Sequence, residues 1–222
     1  MFRYDFLLSG ARLTARPTGA LWWEDERLLA VGDLHLGKSE RLAREGRSLL
    51  PPYETIHTLD RLQAEIDATR PRTVVLVGDS FDDMDASSEL ADGAFDRINR
   101  MAAGRRMIWI TGNHDPGQLD LPGANLASFR ADPLVFRHIA SADAEGEVSA
   151  HYHPKARISV KGQRISRACF LVDRRRVILP AFGTYTGGLD ITNAAFDVLF
   201  GDDAMALLTG RQITALPYPV PA

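Results

Sequence analysis

Apolar residues in this chain fall into short runs broken by glycine, proline and charge, and the spacing within each run predicts its element. Phe6-Leu7-Leu8, Leu21-Trp22-Trp23 and Leu28-Leu29-Ala30-Val31 read as β-strands. Residues 38–45 are charged and open a helix that Gly46 and Pro51-Pro52 interrupt. Over residues 53–70 the spacing turns helical, with Ile56, Leu59, Leu62 and Ile66 on one face and Pro71 as the stop. Thr73-Val74-Val75-Leu76-Val77 is apolar and β-branched, the pattern of a strand buried on both faces. Residues 87–103 predict a second helix, with Leu90, Ala94, Ile98 and Met101 in register and Gly104 ending it. Met107-Ile108-Trp109-Ile110 is a further strand.

The second half changes character. Short runs at residues 134–136, 147–149, 158–160, 168–172 and 177–179 predict strands with short connections, hence a mostly antiparallel or mixed sheet. Residues 194–200 suggest one short helix, and 204–208 and 212–215 closing strands. The strand–helix alternation of the first half makes this an α/β chain, whose sites belong at the C-terminal ends of its strands. We expect one domain over residues 1–216 and a loose Pro-rich tail over 217–222.

Composition narrows the class. At 222 residues, 45% hydrophobic and 25% charged, the chain has the balance of one globular domain. A formal net charge of −3 supplies no global positive field toward nucleic acid or membrane. A single cysteine, Cys169, excludes an intrachain disulfide framework and suits a reducing compartment. Met1 to Asp5 does not read as a signal peptide and no apolar run approaches a membrane span, so a cytoplasmic protein without membrane contact is expected.

Candidate chemistry gathers where the apolar runs stop. Asp33 and His35 follow the run ending at Val31, and residues two apart in an extended segment share a side. Asp79 follows Val77-Gly78, Asn113 follows Ile110, His138 closes Leu134-Val135-Phe136-Arg137, and His151 and His153 repeat the two-apart spacing. Mixed nitrogen and oxygen ligands suit borderline divalent ions, leaving manganese, iron, zinc and cobalt open. Seven ligands are too many for one tetrahedral ion and fit two ions sharing a carboxylate. Such a pair clamps a phosphoryl group and makes a bound water nucleophilic near neutral pH.

The series Asp33-x-His35, Gly78-Asp79-x-x-Asp82, Gly112-Asn113-His114-Asp115, His138 and His151-x-His153 resembles the calcineurin-like metallophosphoesterase superfamily in order and spacing. The resemblance implies a four-layer α/β/β/α sandwich. It implies that Asp33, His35, Asp79 and His153 hold one metal, and that Asp79 bridges to a second metal held by Asn113, His138 and His151. It gives His114 the role of assisting the leaving oxygen, oriented by Asp82. A narrower likeness, through Asp33-Leu34-His35-Leu36-Gly37-Lys38, Gly78-Asp79-Ser80-Phe81, His151-Tyr152-His153-Pro154 and the segment 182–190, is to bacterial ligase-associated DNA-damage-response phosphoesterases. That likeness implies a two-metal DNA endonuclease or phosphodiesterase acting in repair, with manganese as the expected metal and a DNA ligase and a helicase as functional neighbours. The alternatives are a small-molecule phosphoesterase and a catalytically silent scaffold of the same fold.

Two positions depart from the pattern. Ala150 stands where the superfamily has Gly, and Asp82 where many narrower relatives have His. Lys38 and Arg41 follow the first motif and are candidate phosphate contacts, with Tyr185 a candidate on the Gly-rich loop. Other polar residues receive plainer readings: His57 a boundary residue, Asp83 and Asp85 caps, Asp115 a loop hydrogen-bonder, Arg174 to Arg176 a solvated turn, and Cys169 a buried small hydrophobe.

Overall fold

The computed structural model describes residues 3–47, 50–51, 53–86, 90, 93–160, 162–201 and 203–218. One sheet runs, neighbour to neighbour, through β1 (Tyr4–Leu8), β2 (Ala11–Ala15), β3 (Leu21–Trp23), β4 (Leu28–Val31), β5 (Thr73–Val77), β6 (Arg106–Ile110) and β7 (Ala124–Leu126). β1 to β4 form an antiparallel meander, and β4 to β7 are parallel. The crossover from β4 to β5 carries α1 (Lys38–Arg44) and α2 (Glu54–Thr69), and that from β5 to β6 carries α3 (Ala94–Ala102).

The second sheet comprises β8 (Ser128–Ala131), β9 (Leu134–Arg137), β10 (Glu147–Ser149), β11 (Lys155–Val160), β12 (Gln163–Val172), β13 (Arg176–Ile178), β14 (Met205–Leu208) and β15 (Thr214–Pro217). Its order is β15-β14-β12-β13-β10-β9-β8, with β11 paired to β12 as a hairpin. β10 is parallel to both β9 and β13 while the remaining pairs are antiparallel, so the sheet is mixed.

The period of two in the strands sorts their side chains into layers. Ala30, Val75, Val77 and Ile108 face the second sheet and meet Phe136, Val148, Phe170 and Val177 in the central core. Their neighbours Leu29, Val31, Val74 and Leu76 face outward, against Leu59, Leu62 and Ile66 of α2 and Ile98 and Met101 of α3. β5 is therefore buried on both faces, as its unbroken apolar run predicts. On the far side, Cys169, Leu171, Ile178 and Ala206 are covered by Phe196, Leu199, Phe200 and Tyr218. The result is the four-layer arrangement that the motif resemblance implies, with turns in its outermost layer.

The outermost layer departs from expectation. Residues 194–200 form consecutive turns instead of a helix. Asp190 Oδ1 accepts from Thr192 N and Asn193 Oδ1 from Ala195 N, local bonds that compete with helical ones. The helix predicted from residue 87 begins at Ala94, after Gly93 at φ 78°, while residues 87–89, 91 and 92 lie outside the described residues. β2, β7 and β8 are additional strands whose polar content hid them. The loose tail is also shorter than expected: Pro217 pairs with Met205 and Tyr218 is buried with its N–H on Ala204 O, while residues 219–222 lie outside the described residues. Arg176 is fully buried, against the reading of a solvated turn. Asp173 Oδ1 accepts the N–H groups of Arg175 and Arg176, closing the turn early enough that Arg176 already lies in β13. No helix of the described residues is long and apolar enough to cross a membrane.

Candidate metal centre

The parallel strands β4, β5 and β6 end side by side, and the chain beyond β4 and β5 stays in register for several residues. Asp33 N donates to Gly78 O, His35 N to Asp79 O and Leu36 N to Ser80 O, so the two loops run together off the sheet edge. From the other sheet, β10 delivers His151 and His153, and His151 N donates to both oxygens of Asp33 at 3.0 and 3.2 Å. Both sheets thus feed one site at one end of the sandwich.

The ligand side chains converge by a route that strand alternation does not predict. Asp33, His35, Asp79, His151 and His153 all have positive φ, between 46° and 69°. Non-glycine residues pay about 1–3 kcal/mol each for such strained backbone, which persists where the surroundings dictate it. Close approach needs missing side chains nearby. A Cβ on Gly78 would fall 2.2 Å from His138 Nδ1. A Cβ on Gly32 would fall 2.5 Å from Ala150 Cβ, so Gly32 vacates the space that Ala150 fills, and the departure at Ala150 is accommodated across the sheets.

Two groups result. In the first, His153 Nε2 lies 3.3 Å from Asp33 Oδ1 and 3.3 Å from His35 Nε2. In the second, His138 Nε2 lies 3.0 Å from Asn113 Oδ1, 3.2 Å from His151 Nδ1 and 3.3 Å from Asp79 Oδ2. Asp79 Oδ2 is also 4.0 Å from His35 Nε2, which places this carboxylate between the groups.

The donor set fits divalent ions. His138 Nδ1 faces the Val77 carbonyl at 3.0 Å; a carbonyl only accepts, so this nitrogen carries the proton and Nε2 presents its lone pair. That lone pair meets Asn113 Oδ1 and Asp79 Oδ2, two more acceptors. Three acceptors at one point call for a cation. Ligands about 2.0–2.1 Å from one ion sit about 3.0–3.4 Å from each other, as these atoms do. Asp33–His35–His153, Asp79–His138–His151 and His35–Asp79–His114 each offer three ligand atoms within 4.8 Å of one another.

The electrostatics agree with a site built for positive charge. Burial pushes the Asp79 carboxyl upward, but the imidazolium form of His138, with Nε2–H donating to Asp79 in the place a bound cation would otherwise take, outweighs it and holds the pKa down at about 2. Burial pulls His138 down, yet Asp79 and Asp33 raise it overall. His151 is lowered by burial and by its neighbour His138.

Asp82 does not orient His114 with its side chain. His114 Nδ1 lies 2.8 Å from the backbone carbonyl of Asp82, which accepts its proton and leaves Nε2 free. The Asp82 carboxylate turns the other way, 2.9 Å from His35 Nδ1, and is also paired with Arg41 Nε and Lys38 Nζ. It therefore fixes His35. Burial opposes its charge, but these three partners hold its pKa well below the usual carboxylate range. Arg41, the candidate phosphate contact, is engaged by Glu45 as well as by Asp82. Lys38 shares that carboxylate, and Tyr185 is exposed on its loop outside both groups. His57 is exposed and bonds Thr184.

Asp115 is a loop hydrogen-bonder, as expected, and its bonds reach beyond its own loop. Its carboxylate accepts from the backbone N–H groups of Asp79, Ser80, Phe81 and Gly112, tying two ligand loops together. The clue in the sequence was its place directly after Gly112-Asn113-His114.

No curated protein matches the chain. The family model for calcineurin-like phosphoesterase matches residues 26–170. Among solved structures, the Pseudomonas putida nuclease MPE aligns with a TM-score of 0.72 at 24% identity, covering 96% of this chain and 100% of that one. Yfce, a phosphoesterase from E. coli, aligns with a TM-score of 0.36 at 11% identity, covering 73% of this chain and 83% of that one.

Proposed function

Because the chain belongs to the calcineurin-like phosphoesterase family and is a hydrolase of phosphoester bonds, we propose that it is a phosphodiesterase that holds two divalent ions and acts on DNA. The observation that carries this reading is the position of Asp79 between two groups of acceptors, as a carboxylate shared by two ions requires. Asp33, His35, Asp79 and His153 hold one ion in this proposal, and Asp79, Asn113, His138 and His151 the other. Two ions in such a site, when bound, neutralise charge on a phosphoryl group and supply a water-derived nucleophile at neutral pH.

The chain's own residues do the rest. His114 is exposed beside the cluster, with Nδ1 pinned to the Asp82 carbonyl. Its protonated Nε2 gives a proton to the departing oxygen, a contribution of about 10²–10⁴ in rate. Asp82, through His35, keeps the first group in place. The DNA assignment draws support from the full-length likeness to a nuclease and from the motif resemblance. Manganese, a cytoplasmic setting, a role in repair beside a ligase and a helicase, and a single domain over residues 1–216 belong to the same proposal.

The test is hydrolysis of bis-p-nitrophenyl phosphate and of a labelled single-stranded DNA by manganese-loaded protein. Both are expected to be cleaved, with His114→Ala lowering turnover about 10²–10⁴-fold while metal content stays at the wild-type level. Near wild-type turnover by metal-replete His114→Ala would remove the proposed proton donor. Cleavage of the small diester alone would move the substrate class away from DNA.

A further inference from the structure

Beside the ligand loops lies a cavity of about 310 Å³, walled by Thr18, Arg61, Lys155, Ser166, Gly183 and Tyr185 among others. Its lining is joined to the loops of the metal centre through the backbone. Gly183 N donates to Asp33 O, Ala181 bridges Gly32, and Lys155 is two residues beyond His153. The β2–β3 turn, which supplies Thr18, sits at this same end of the sandwich because β3 runs antiparallel to β4.

Two cations face this space without an anion. Arg61 of α2 is partly buried and held rigidly: Nη1 donates to Phe182 O at 2.8 Å, Nη2 to Thr18 O at 2.7 Å, and the guanidinium lies 4.5 Å over the Phe182 ring. Both acceptors are neutral carbonyls. Glu65, the acid whose charge reaches Arg61, is itself engaged by Arg16 and Thr18. Lys155 Nζ donates to another neutral carbonyl, Thr186 O, at 3.0 Å. Among the described residues, neither cation has a carboxylate within ion-pair distance. A partly desolvated charge without a partner is costly, and an anionic ligand relieves that cost. Fixed by two carbonyls and a ring, Arg61 loses little further freedom on binding.

We propose that this cavity is a second anion subsite, receiving a phosphate next to the scissile one along a polynucleotide, with Arg61 and Lys155 as its cationic contacts. This rests on the phosphodiesterase reading above. A substrate with a single phosphate cannot fill both places, so the subsite favours polymeric diesters. Phosphate contacts of this kind set register along the chain and leave base sequence unread.

Two measurements test it. The first is the affinity of metal-stripped protein for a fluorescent oligothymidylate across a salt series. Lys155→Gln is expected to make the slope of log affinity against log salt shallower by about 0.7, one phosphate contact on a single strand. Arg61→Gln should do the same; since Arg61 also braces the 182–186 loop, Lys155→Gln is the decisive variant. The second is steady-state hydrolysis, where Lys155→Gln is expected to raise KM for the oligonucleotide about tenfold more than KM for bis-p-nitrophenyl phosphate. An unchanged salt slope and equal KM effects, in a protein that still cleaves the oligonucleotide, would overturn the subsite and leave the phosphodiesterase reading standing. Loss of slope in a protein that hydrolyses neither substrate would uphold the subsite and sink the phosphodiesterase reading.

Discussion

Asp115 accepts four backbone N–H groups and is 1% exposed, so its contribution is structural support for residues that do chemistry. Removing a buried acceptor costs about 1–3 kcal/mol for each donor that water does not then reach. Asp115→Ala is therefore expected to lower unfolding free energy by about 2–4 kcal/mol, read by urea denaturation of the metal-free protein; a loss below about 0.5 kcal/mol would show the loops hold themselves. The Gly32–Ala150 contact offers a sharper test. Gly32→Ala places two methyl groups 2.5 Å apart and should cost about 1–3 kcal/mol, and Ala150→Gly in the same chain should restore most of it. If the double variant is no better than Gly32→Ala alone, the two positions are not complementary. At this scale the gathering of Asp33, His35, Asp79, His138, His151 and His153 was legible, because a metal site restricts residue type and the strand ends fix the spacing. The partner of His114 was not. Whether Asp82 offers its carboxylate or its carbonyl depends on how the chain turns after Asp79, which the residue names leave undetermined.

Elements with uninterrupted apolar runs were legible for a different reason. β5 and β6 are buried on both faces, so every position repeats the signal, whereas β2 (Ala-Arg-Leu-Thr-Ala) alternates weakly and escaped. The fold's second helical crossover shows the opposite failure: the periodicity of residues 87–103 ran past Gly93, whose φ of 78° starts the helix later. The Gly-rich loop after β13 is tied to α2 through Thr58. Thr184 N donates to Thr58 Oγ1 at 3.0 Å, and the Thr58 and Thr184 hydroxyls are 3.2 Å apart. Thr58→Val keeps the shape and removes these bonds. It should cost about 1 kcal/mol and speed amide exchange in residues 183–188, measured by hydrogen–deuterium exchange. Unaltered exchange there would show that backbone contacts with Gly32 and Asp33 suffice to hold the loop.

Across the whole molecule, burial sets apart a thiol in an outer core layer from the acceptors gathered at the strand ends. Cys169 lies in the outer core with its thiol pushed by burial up to about 12, while an unfolded thiol ionises near about 8.5. Its folded value is raised, so the stability it confers is complete below about pH 8.5 and is lost as pH rises toward 12. Native protein should therefore resist a thiol-specific reagent at pH 8 that labels unfolded chain, and Cys169→Ala should flatten the fall in thermal midpoint above pH 9. Rapid native labelling would show that this layer opens. The converging acceptors of the metal centre make a demand of their own: metal that binds the native site stabilises it by mass action. The most direct check on the proposed activity is a chelation cycle on one preparation, following bis-p-nitrophenyl phosphate hydrolysis beside metal content and thermal midpoint. Hydrolysis and midpoint should both fall when the metal is stripped and both return with manganese at about two ions per chain; turnover that survives complete removal of metal would contradict a two-metal phosphodiesterase.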